Sequence, residues 1–298
     1  MGGARRAWRR VLGAPAAVLL TGGLAAGVVA VTSTPAGAAT DLVTTELQLR
    51  ADFNSNSFDT LVLQNDIHLT AAVGCNRLTR NTANNPITID GQGQFKIVQD
   101  CPGFGVIRVP FPDTSNVTLR GVTITGGNMA GDGAGIEFEG GSLTVDHSTF
   151  VNNHTLVPSG NDGGAIDSEG TGSTTVIDST FTNNSADDDG GAINCDDNPQ
   201  TITITGSTFN GNATSAGGGN SGAAIDAETD GCAFTITNST ITANTSGDDA
   251  AISLQEASDS LRLVYSSVVN NATNPASPGS AAIPGPGKRA PDTGGRDA

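Results

Sequence analysis

Apolar and polar residues alternate with a period of two in short runs along the chain, which is the pattern of half-buried β-strands. One run recurs with closely similar letters at residues 143–153, 174–184, 202–212, 234–244 and 261–271. Each copy contains an apolar anchor that is followed three residues later by asparagine, as in Phe150 and Asn153. No helical period intervenes between the copies, so the pattern excludes alternating strands and helices in this region.

The repeat has a second element and a nearly constant length. Its anchors are spaced by 26 to 32 residues and lie at Ile124, Phe150, Phe181, Phe209, Ile241 and Val268. The second element, Gly-Gly-Ala-Ile or a close variant, fills the intervals and ends at Ile166, Ile193 and Ile225. Strands that recur without helices fit a coil that stacks on itself, with matching positions about 4.8 Å apart. The sequence therefore predicts an all-β fold, a right-handed parallel β-helix with a short N-terminal cap.

Stacking assigns an inside and an outside to the repeated residues. Phe150, Phe181 and Phe209 form an aromatic column in the predicted core, where burial of each side chain contributes roughly 1.5–3 kcal/mol. The asparagines after the anchors are interpreted as structural, because Asn tolerates the left-handed turn conformation and stacked amides hydrogen-bond between turns. They are Asn153, Asn184, Asn212, Asn244 and Asn271.

The start of the chain is a predicted signal peptide, residues 1–38. It has arginines at positions 5, 6, 9 and 10, an apolar stretch at 14–31 and a small-x-small cleavage motif at 36–38. A transmembrane anchor is the alternative for this segment. Twin-arginine export is an open alternative to general secretion.

The remainder divides into a domain and a tail. Residues 39–271 are the predicted β-helix domain, with clear repeats over 117–271. Residues 41–56 have a more helical pattern and are predicted to cap the N-terminal edge, since an exposed sheet edge promotes aggregation. Residues 272–298 are rich in Pro, Gly, Ser and Ala and are predicted to form a disordered tail.

The chain is strongly acidic. It has 14 Lys and Arg residues against 30 Asp and Glu residues, a net charge of −16, which becomes −20 once the four arginines of the signal peptide are removed. Such a surface repels nucleic acid and anionic membranes and attracts cations. We therefore expect a secreted or cell-surface protein with no nucleic-acid partner and no membrane insertion after signal removal.

Four cysteines in a chain predicted to be exported indicate two disulfides. Three connectivities are open. Pairing of Cys75 with Cys101 and of Cys195 with Cys232 is favoured, because each bridge then joins adjacent parts of a repetitive fold. Free buried thiols are the alternative, and a metal site at these residues is disfavoured because no CxxC or CxxH spacing occurs.

The paired elements Gly-Gly-Ala-Ile and Phe-x-x-Asn resemble the repeats of the polymorphic outer-membrane proteins. The first element is matched at residues 163–166 and 190–193, and the second at 150–153, 181–184 and 209–212. Those proteins are bacterial surface β-helices whose known role is adhesion. The resemblance covers residues 117–271 and implies a β-helix with a binding role at a bacterial surface.

Parallel β-helices also include polysaccharide lyases and glycoside hydrolases. Residues 145–148 resemble part of a pectate lyase motif, but this region has almost none of the Arg and Lys that lyase chemistry on an acidic sugar requires. Aspartate pairs at 188–189, 196–197 and 248–249 supply acids, and glycoside hydrolysis needs two carboxyl groups about 5–9 Å apart. The Gly-His-Gly and Arg-Ile-Lys elements of polygalacturonases are missing from the sequence. No catalytic residue is therefore predicted.

The leading hypothesis is an extracellular, non-enzymatic β-helix that adheres or binds a ligand at the cell surface, with an extracellular glycan or protein as partner. A polysaccharide lyase or glycoside hydrolase is the alternative, and a structural secreted domain without a catalytic role is the second alternative. Repeat length varies mainly between the two elements, and such insertions project from one side of a solenoid. Loops 154–162 and 213–221 are therefore the expected ligand contacts.

The repeat register also creates two acidic columns. Four residues before each Ile of the second element lie Asp132, Asp162, Asp189, Ser221 and Asp248. One residue after it lie Glu137, Asp167, Asn194, Asp226 and Ser253, which strand alternation places on the outside. Stacked carboxylates roughly 5 Å apart repel unless a cation neutralises them, and oxygen-rich clusters suit Ca²⁺. A calcium site is predicted at Asp162, Asp167 and Asp189, with a solvated acidic face as the alternative. No other cofactor is predicted.

Overall fold

The computed structural model describes residues 39–81, 85–156, 160–170, 172–215, 221–248 and 250–273. The predicted signal peptide and the chain beyond Thr273 lie outside these residues, so both remain predictions. None of the helices within the described ranges is both long enough and apolar enough to span a membrane.

The N-terminal part contains short strands and one helix. Its elements are β1 (Thr40–Val43), α1 (Glu46–Phe53), β2 (Thr60–Leu63), β3 (Ile67–Leu69), β4 (Leu78–Thr79), β5 (Ile87–Asp90), β6 (Lys96–Gln99) and β7 (Ile107–Val109). The Thr45 hydroxyl accepts the backbone N–H of Gln48 at the start of α1, and Leu49 and Phe53 bury its inner side. The helical prediction for 41–56 is wrong at its start, because β1 pairs in parallel with β2 and extends the sheet instead.

From Val117 to Leu254 each turn of the chain carries four strands. They are β8 (Val117–Arg120), β9 (Thr123–Thr125), β10 (Asn128–Met129), β11 (Ile136–Phe138), β12 (Leu143–Asp146), β13 (Thr149–Val151), β14 (His154–Thr155), β15 (Ile166–Ser168), β16 (Ser173–Ile177), β17 (Thr180–Thr182), β18 (Ser185–Ala186), β19 (Ile193–Cys195), β20 (Thr201–Thr205), β21 (Thr208–Asn210), β22 (Ala213–Thr214), β23 (Ile225–Ala227), β24 (Ala233–Thr237), β25 (Thr240–Thr242), β26 (Thr245–Ser246) and β27 (Ile252–Leu254). The last strands are β28 (Ser260–Val264), β29 (Ser267–Val269) and β30 (Ala272–Thr273), so the solenoid extends two residues past the predicted boundary at 271.

The turns stack into four parallel sheets. These sheets have nine, eight, six and seven strands, and each turn from β8 onward crosses them in that order. Every strand pairs in parallel with the equivalent strand of the next turn, for example β12 with β16 and β16 with β20. The predicted parallel β-helix is therefore confirmed, with the repeat unit equal to one turn.

The predicted core columns lie in register. Phe150 faces Phe181 and Phe181 faces Phe209, with ring centroids 5.2 and 4.7 Å apart and planes inclined by 7° and 2°. Ile166, Ile193 and Ile225 are aligned in the same way on the seven-stranded sheet. All of these side chains are buried, so each turn covers the apolar surface of its neighbour.

A ladder of buried asparagines holds successive turns together. The Asn184 Oδ1 accepts the backbone N–H of Asn153 at 3.1 Å and its side-chain Nδ2 at 3.0 Å. The Asn184 Nδ2 in turn donates to the Phe150 carbonyl and to the Asn212 Oδ1, both at 3.0 Å. The pattern continues through Asn244 to Asn271. These contacts support the structural interpretation of the asparagines.

The structure contains two disulfides, which join Cys75 to Cys101 and Cys195 to Cys232 with Cα–Cα separations of 5.6 and 6.3 Å. This is the pairing of sequence neighbours that the repeat favours. Cys195 ends β19, and Cys232 lies between β23 and β24. Because β23 pairs with β19, the second bridge joins neighbouring turns.

We predict that Phe181→Asp unfolds several turns, because it places an uncompensated charge within the aromatic column. The loss in unfolding free energy should exceed the roughly 3–5 kcal/mol typical of Phe→Ala. Thermal or urea denaturation followed by circular dichroism measures the loss. Thr182→Asp is the matched control, because Thr182 lies next on the same strand and is half-buried. An unchanged melting temperature for Phe181→Asp would show that the assigned core is incorrect.

A second prediction concerns the asparagine ladder. Asn184→Ala leaves the buried backbone N–H of Asn153 without its acceptor, which should cost about 1–3 kcal/mol of unfolding free energy in addition to the cavity. The neighbouring Asn183 is exposed with a φ of 53°, so Asn183→Gly should be nearly neutral. Equal losses for the two variants in urea denaturation would contradict the role of the ladder.

Candidate functional site

The acidic residues of the seven-stranded sheet are buried. All three residues of β15 are buried, and the same holds for β19 and β23. Asp167 is 2% exposed, and Asn194 and Asp226 are 0% exposed. Strand alternation directs these residues away from the side of the Ile, but they are covered, so the alternative of a solvated acidic face fails at these positions.

The glycine turn before each strand explains this burial. Gly163 has a φ of 60°, and a Cβ added to it would lie 2.6 Å from the Cα and Cβ of Asp167. Gly190 has a φ of 61° and is equally close to Asn194. Only glycine combines this conformation with such close packing. The Gly-Gly turn therefore lies directly against the residue after the Ile and shields it from solvent.

The aspartates four residues before each Ile form a second ladder between turns. The Asp132 Oδ1 accepts the backbone N–H of Asp162 at 2.9 Å, and the Asp162 Oδ1 accepts that of Asp189 at 2.8 Å. The Asp189 Oδ1 accepts the backbone N–H of Ser221 at 2.5 Å. One oxygen of each carboxylate is thus used to hold the next turn in register.

Two groups of three carboxylates result from this stacking. Asp132, Asp167 and Glu169 each place an oxygen within 4.8 Å of the others. Asp162, Asp189 and Glu228 form a second group by the same measure. The structure therefore brings the three residues predicted for calcium into one acidic region but divides them between two groups.

Glu169 and Glu228 were not predicted from the sequence. Each lies three residues after the Ile of its turn, on the same side of the strand as the residue one after the Ile. This position forms a third polar column of Glu139, Glu169, Asp196, Glu228 and Gln255. Its regular spacing was the signal that would have identified both glutamates.

Three successive turns leave a buried oxygen without a hydrogen-bond partner among the described residues. The atoms are Asp167 Oδ1, Asn194 Oδ1 and Asp226 Oδ1. Their residues are directly aligned along the seven-stranded sheet. A buried polar atom without a partner lowers the unfolding free energy by about 1–3 kcal/mol. A hydrogen-bond donor or a cation placed against this column would therefore stabilise the protein.

Arginine and glutamine side chains donate to the acidic region at its two ends. Arg77 and Arg108 both pair with Glu137, the latter at 2.7 Å. At the other end the Gln255 Nε2 donates to Asp189 Oδ2 at 2.7 Å and to Asp226 Oδ2 at 2.9 Å. Between these ends, within the described residues, Asp162, Asp167 and Glu169 make no salt bridge with Lys, Arg or His.

Burial strongly favours the protonated form of these carboxyls. Burial, with the nearby Glu228 charge, raises the pKa of Asp162 to about 9. Burial also raises the pKa values of Asp167, Asp189 and Asp226 well above their ordinary range, with neighbouring carboxylates adding to the effect. At neutral pH the cluster therefore holds either protons or a cation.

The outer faces of two sheets have a different character. On the nine-stranded sheet, neighbouring turns align Thr60, Thr88, Thr118, Thr144, Thr175, Thr203 and Thr235 in one column. On the eight-stranded sheet they align Thr123, Thr149, Thr180, Thr208 and Thr240. These threonines are half-buried or exposed, so each sheet presents a row of hydroxyl and methyl groups to solvent.

The loops predicted to contact a ligand are only partly described. Residues 157–159 and 216–220 lie outside the described residues. The end of the first loop packs on the next turn, where the Asn161 carbonyl accepts the backbone N–H groups of Asp187 and Asp188, both at 3.1 Å. This loop leads directly into Asp162 and therefore into the acidic cluster.

Two of the candidate catalytic groups, His147 and Asp189, lie in different surroundings. The His147 ring is 65% exposed and its Nδ1 lies 2.5 Å from Asp146 Oδ1. Asp189, one of the paired aspartates, is buried and both of its oxygens accept hydrogen bonds. A buried acid occupied in this way does not reach a polysaccharide bound outside.

The comparison with family models agrees with the architecture. The model of the right-handed β-helix region matches residues 111–282. No curated protein matches the chain. The chain is similar to the solved structure titled "L. reuteri 53608 SRRP" at 14% identity, over 82% of this chain and 98% of that chain, with a TM-score of 0.36. For "L. reuters 100-23 SRRP" the identity is 12%, the coverage 84% and 99%, and the TM-score 0.38. Similarity at this level carries no argument about function.

We predict that, in excess chelator, the protein becomes less stable as the pH rises. The folded Asp162 has a pKa of about 9 against an ordinary 3.8, so the folded state binds the proton more tightly. The contribution of Asp162 to the unfolding free energy is fully present below its ordinary pKa and is lost as the pH rises through its pKa in the folded state. Melting temperatures from about pH 5 to about pH 9 measure the trend. Asp162→Asn should make the trend shallower without abolishing it, because Asp167, Asp189 and Asp226 also have raised pKa values. A melting temperature that rises over this window would contradict the prediction.

Proposed function

Since the chain belongs to the right-handed β-helix family, we propose that it is an extracellular, non-enzymatic protein that binds an extended, uncharged glycan along the threonine-lined face of its nine-stranded sheet. The observation that carries the proposal is the unbroken column of seven threonines, from Thr60 to Thr235, in register on that sheet.

The chemistry of this column suits a repetitive ligand. Each threonine hydroxyl donates one hydrogen bond and accepts others, as sugar hydroxyls require. The β-branched side chain has few rotamers, so little conformational entropy is lost when it is fixed by a ligand. Sites that recur about 4.8 Å apart engage a linear polymer at several points, and such linked contacts strengthen each other.

Charge favours an uncharged ligand. The whole chain has a net charge of −16, which repels acidic polysaccharides. Beside the threonine column, the next outward-facing column changes from Asp146 to Ile177, Thr205 and Thr237 in successive turns. The turns that contain β16, β20 and β24 therefore present neutral residues in both columns of this sheet, and the glycan is expected to bind there.

Disulfides support a location outside the cell. Two bridges are present in the structure, and such bonds persist in oxidising compartments. The predicted signal peptide over residues 1–38 is consistent with export. A glycan of the cell surface or its surroundings is then the accessible partner.

The test is retention on insoluble polysaccharides. Cellulose, chitin and cross-linked dextran serve as uncharged probes, with immobilised pectin and alginate as acidic ones. We predict that wild type is retained on an uncharged probe and that Thr175→Arg with Thr203→Arg weakens binding about tenfold or more, or roughly 1.4 kcal/mol. Arg262 occupies the same column in the last turn, so arginine is compatible with the fold at this position.

The matched control is Thr180→Arg with Thr208→Arg, which places the same charges on the eight-stranded sheet of the same turns. Its binding should remain near that of wild type. The proposal fails if wild type binds none of the uncharged probes, or if both double variants lose binding equally. Release of soluble sugars from any probe would instead indicate the enzymatic alternative.

A further inference from the structure

We propose that the acidic cluster beneath the glycine turns binds Ca²⁺, with one ion at Asp132, Asp167 and Glu169 and a second at Asp162, Asp189 and Glu228. The inference concerns the side of the seven-stranded sheet that the glycine turns cover. It is independent of glycan binding on the nine-stranded sheet.

The spacing of the oxygens fits a shared ion. In each group, one oxygen from every carboxylate lies within 4.8 Å of the other two. Ca²⁺ binds oxygen at about 2.3–2.6 Å, so two ligands on one ion are separated by at most about 5 Å. The carboxylates therefore already stand at the separation that an ion between them requires.

Unpartnered buried oxygens provide the independent observation. At the second site, the Asn194 Nδ2 donates to Glu228 Oε2 at 3.3 Å, while its Oδ1, fully buried, has no partner in the described chain. Asp226 shares the Gln255 amide with Asp189 and also leaves one oxygen unpartnered. At the first site the Asp167 Oδ1 is in the same condition. Ca²⁺ takes six to eight oxygen ligands, and the unpartnered Asp167 Oδ1 belongs to a carboxylate of the first group.

The ends of the cluster show how the fold solves the same problem without an ion. Arg77 and Arg108 neutralise Glu137 in the first turns, and the Gln255 amide bridges Asp189 and Asp226 in the last. Arg77 also interacts electrostatically with Asp132, Asp167 and Glu169, so one guanidinium already lies near the first group. Asp162 of the second group makes no salt bridge with Lys, Arg or His among the described residues. A divalent cation would supply the positive charge that these carboxylates still lack.

The donor set selects the kind of metal. Both groups consist of carboxylates alone, without His or Cys. Oxygen ligands favour hard cations, and flexible geometry with many ligands favours Ca²⁺ over Mg²⁺, which keeps several waters and demands an octahedron. A cleft of about 380 Å³ is lined by Arg77, Met129 and Asp132, the last of which is a member of the first group.

The primary experiment uses the exported chain after removal of metal with chelator. Millimolar Ca²⁺ should raise the melting temperature by roughly 10–20 °C when both sites are filled at about one hundred times their Kd, and by about half of that when only one site is filled. Calorimetric titration should give two ions per chain. Mg²⁺, and NaCl at equal ionic strength, should give clearly smaller shifts. A calcium shift no larger than that of NaCl overturns the proposal, and an equal or larger shift with Mg²⁺ overturns the assignment to calcium.

Variants separate ion binding from a merely structural role. Asp162→Asn with Glu228→Gln keeps the acceptor oxygen that holds the Asp189 backbone N–H while removing two charges from the second site. The calorimetric stoichiometry should fall from two ions to one. Glu169→Gln with Asp167→Asn should do the same for the first site, and the four changes together should abolish the calcium shift.

The sign of the stability change is the decisive readout. Without calcium at alkaline pH, Asp162→Asn with Glu228→Gln should be more stable than wild type, because buried like charges have been removed. With calcium the order should reverse. Asp178→Asn, which removes an exposed charge outside both groups, should change neither the stoichiometry nor the order. Loss of stability by the double variant in both conditions, with an unchanged stoichiometry, would show that these carboxylates only hold the turns together.

Discussion

In this solenoid each strand residue lies about 4.8 Å from the residue at the equivalent position of the next turn. The side chains at equivalent positions therefore have to pack against each other. Phenylalanine satisfies this constraint, because its rings stack nearly parallel from Phe150 to Phe209. Asparagine satisfies it as well, because its amide is both donor and acceptor, so that Asn184 bonds forward to Asn212 and back to Asn153. Residues that complement themselves therefore specify the register of every sheet.

Aspartate satisfies the same constraint only in part. One oxygen of Asp162 can replace the asparagine carbonyl and accept the backbone N–H of Asp189, but a carboxylate has no donor for the next carboxylate. Stacked carboxylates therefore repel each other unless another group donates to them. At the two ends of the cluster such donors are present, the guanidinium of Arg108 and the amide of Gln255. The calcium proposal concerns the carboxylates between these ends, where Asp162 makes no salt bridge with Lys, Arg or His in the described chain.

The same logic explains how far the sequence predicts this structure. The anchors, the Gly-Gly-Ala-Ile element and the asparagines recur at matching positions, so the fold and its core columns follow from the repeat alone. The burial of Asp167 did not follow, because strand alternation describes one strand and says nothing about a turn that packs over it. That turn depends on the left-handed conformation of Gly163. A glycine in the sequence permits this conformation, but it does not predict it. Glu169 was missed for a related reason, since the cluster is assembled across turns and only a search of every phase of the repeat reveals it.

On the outward faces, stacking of equivalent residues creates no repulsion between neighbouring turns. Threonine is compatible with its own copy and places no charge beside another charge, so Thr175 and Thr203 form a surface that is uniform from turn to turn. Such uniformity suits a ligand whose own groups repeat, whereas the buried carboxylates of these turns lie under the glycine turns of another sheet. The repeat thus separates two roles by position within one turn. An acidic column that requires neutralisation lies beneath the backbone, and a neutral column that requires none faces the solvent where a partner can reach it.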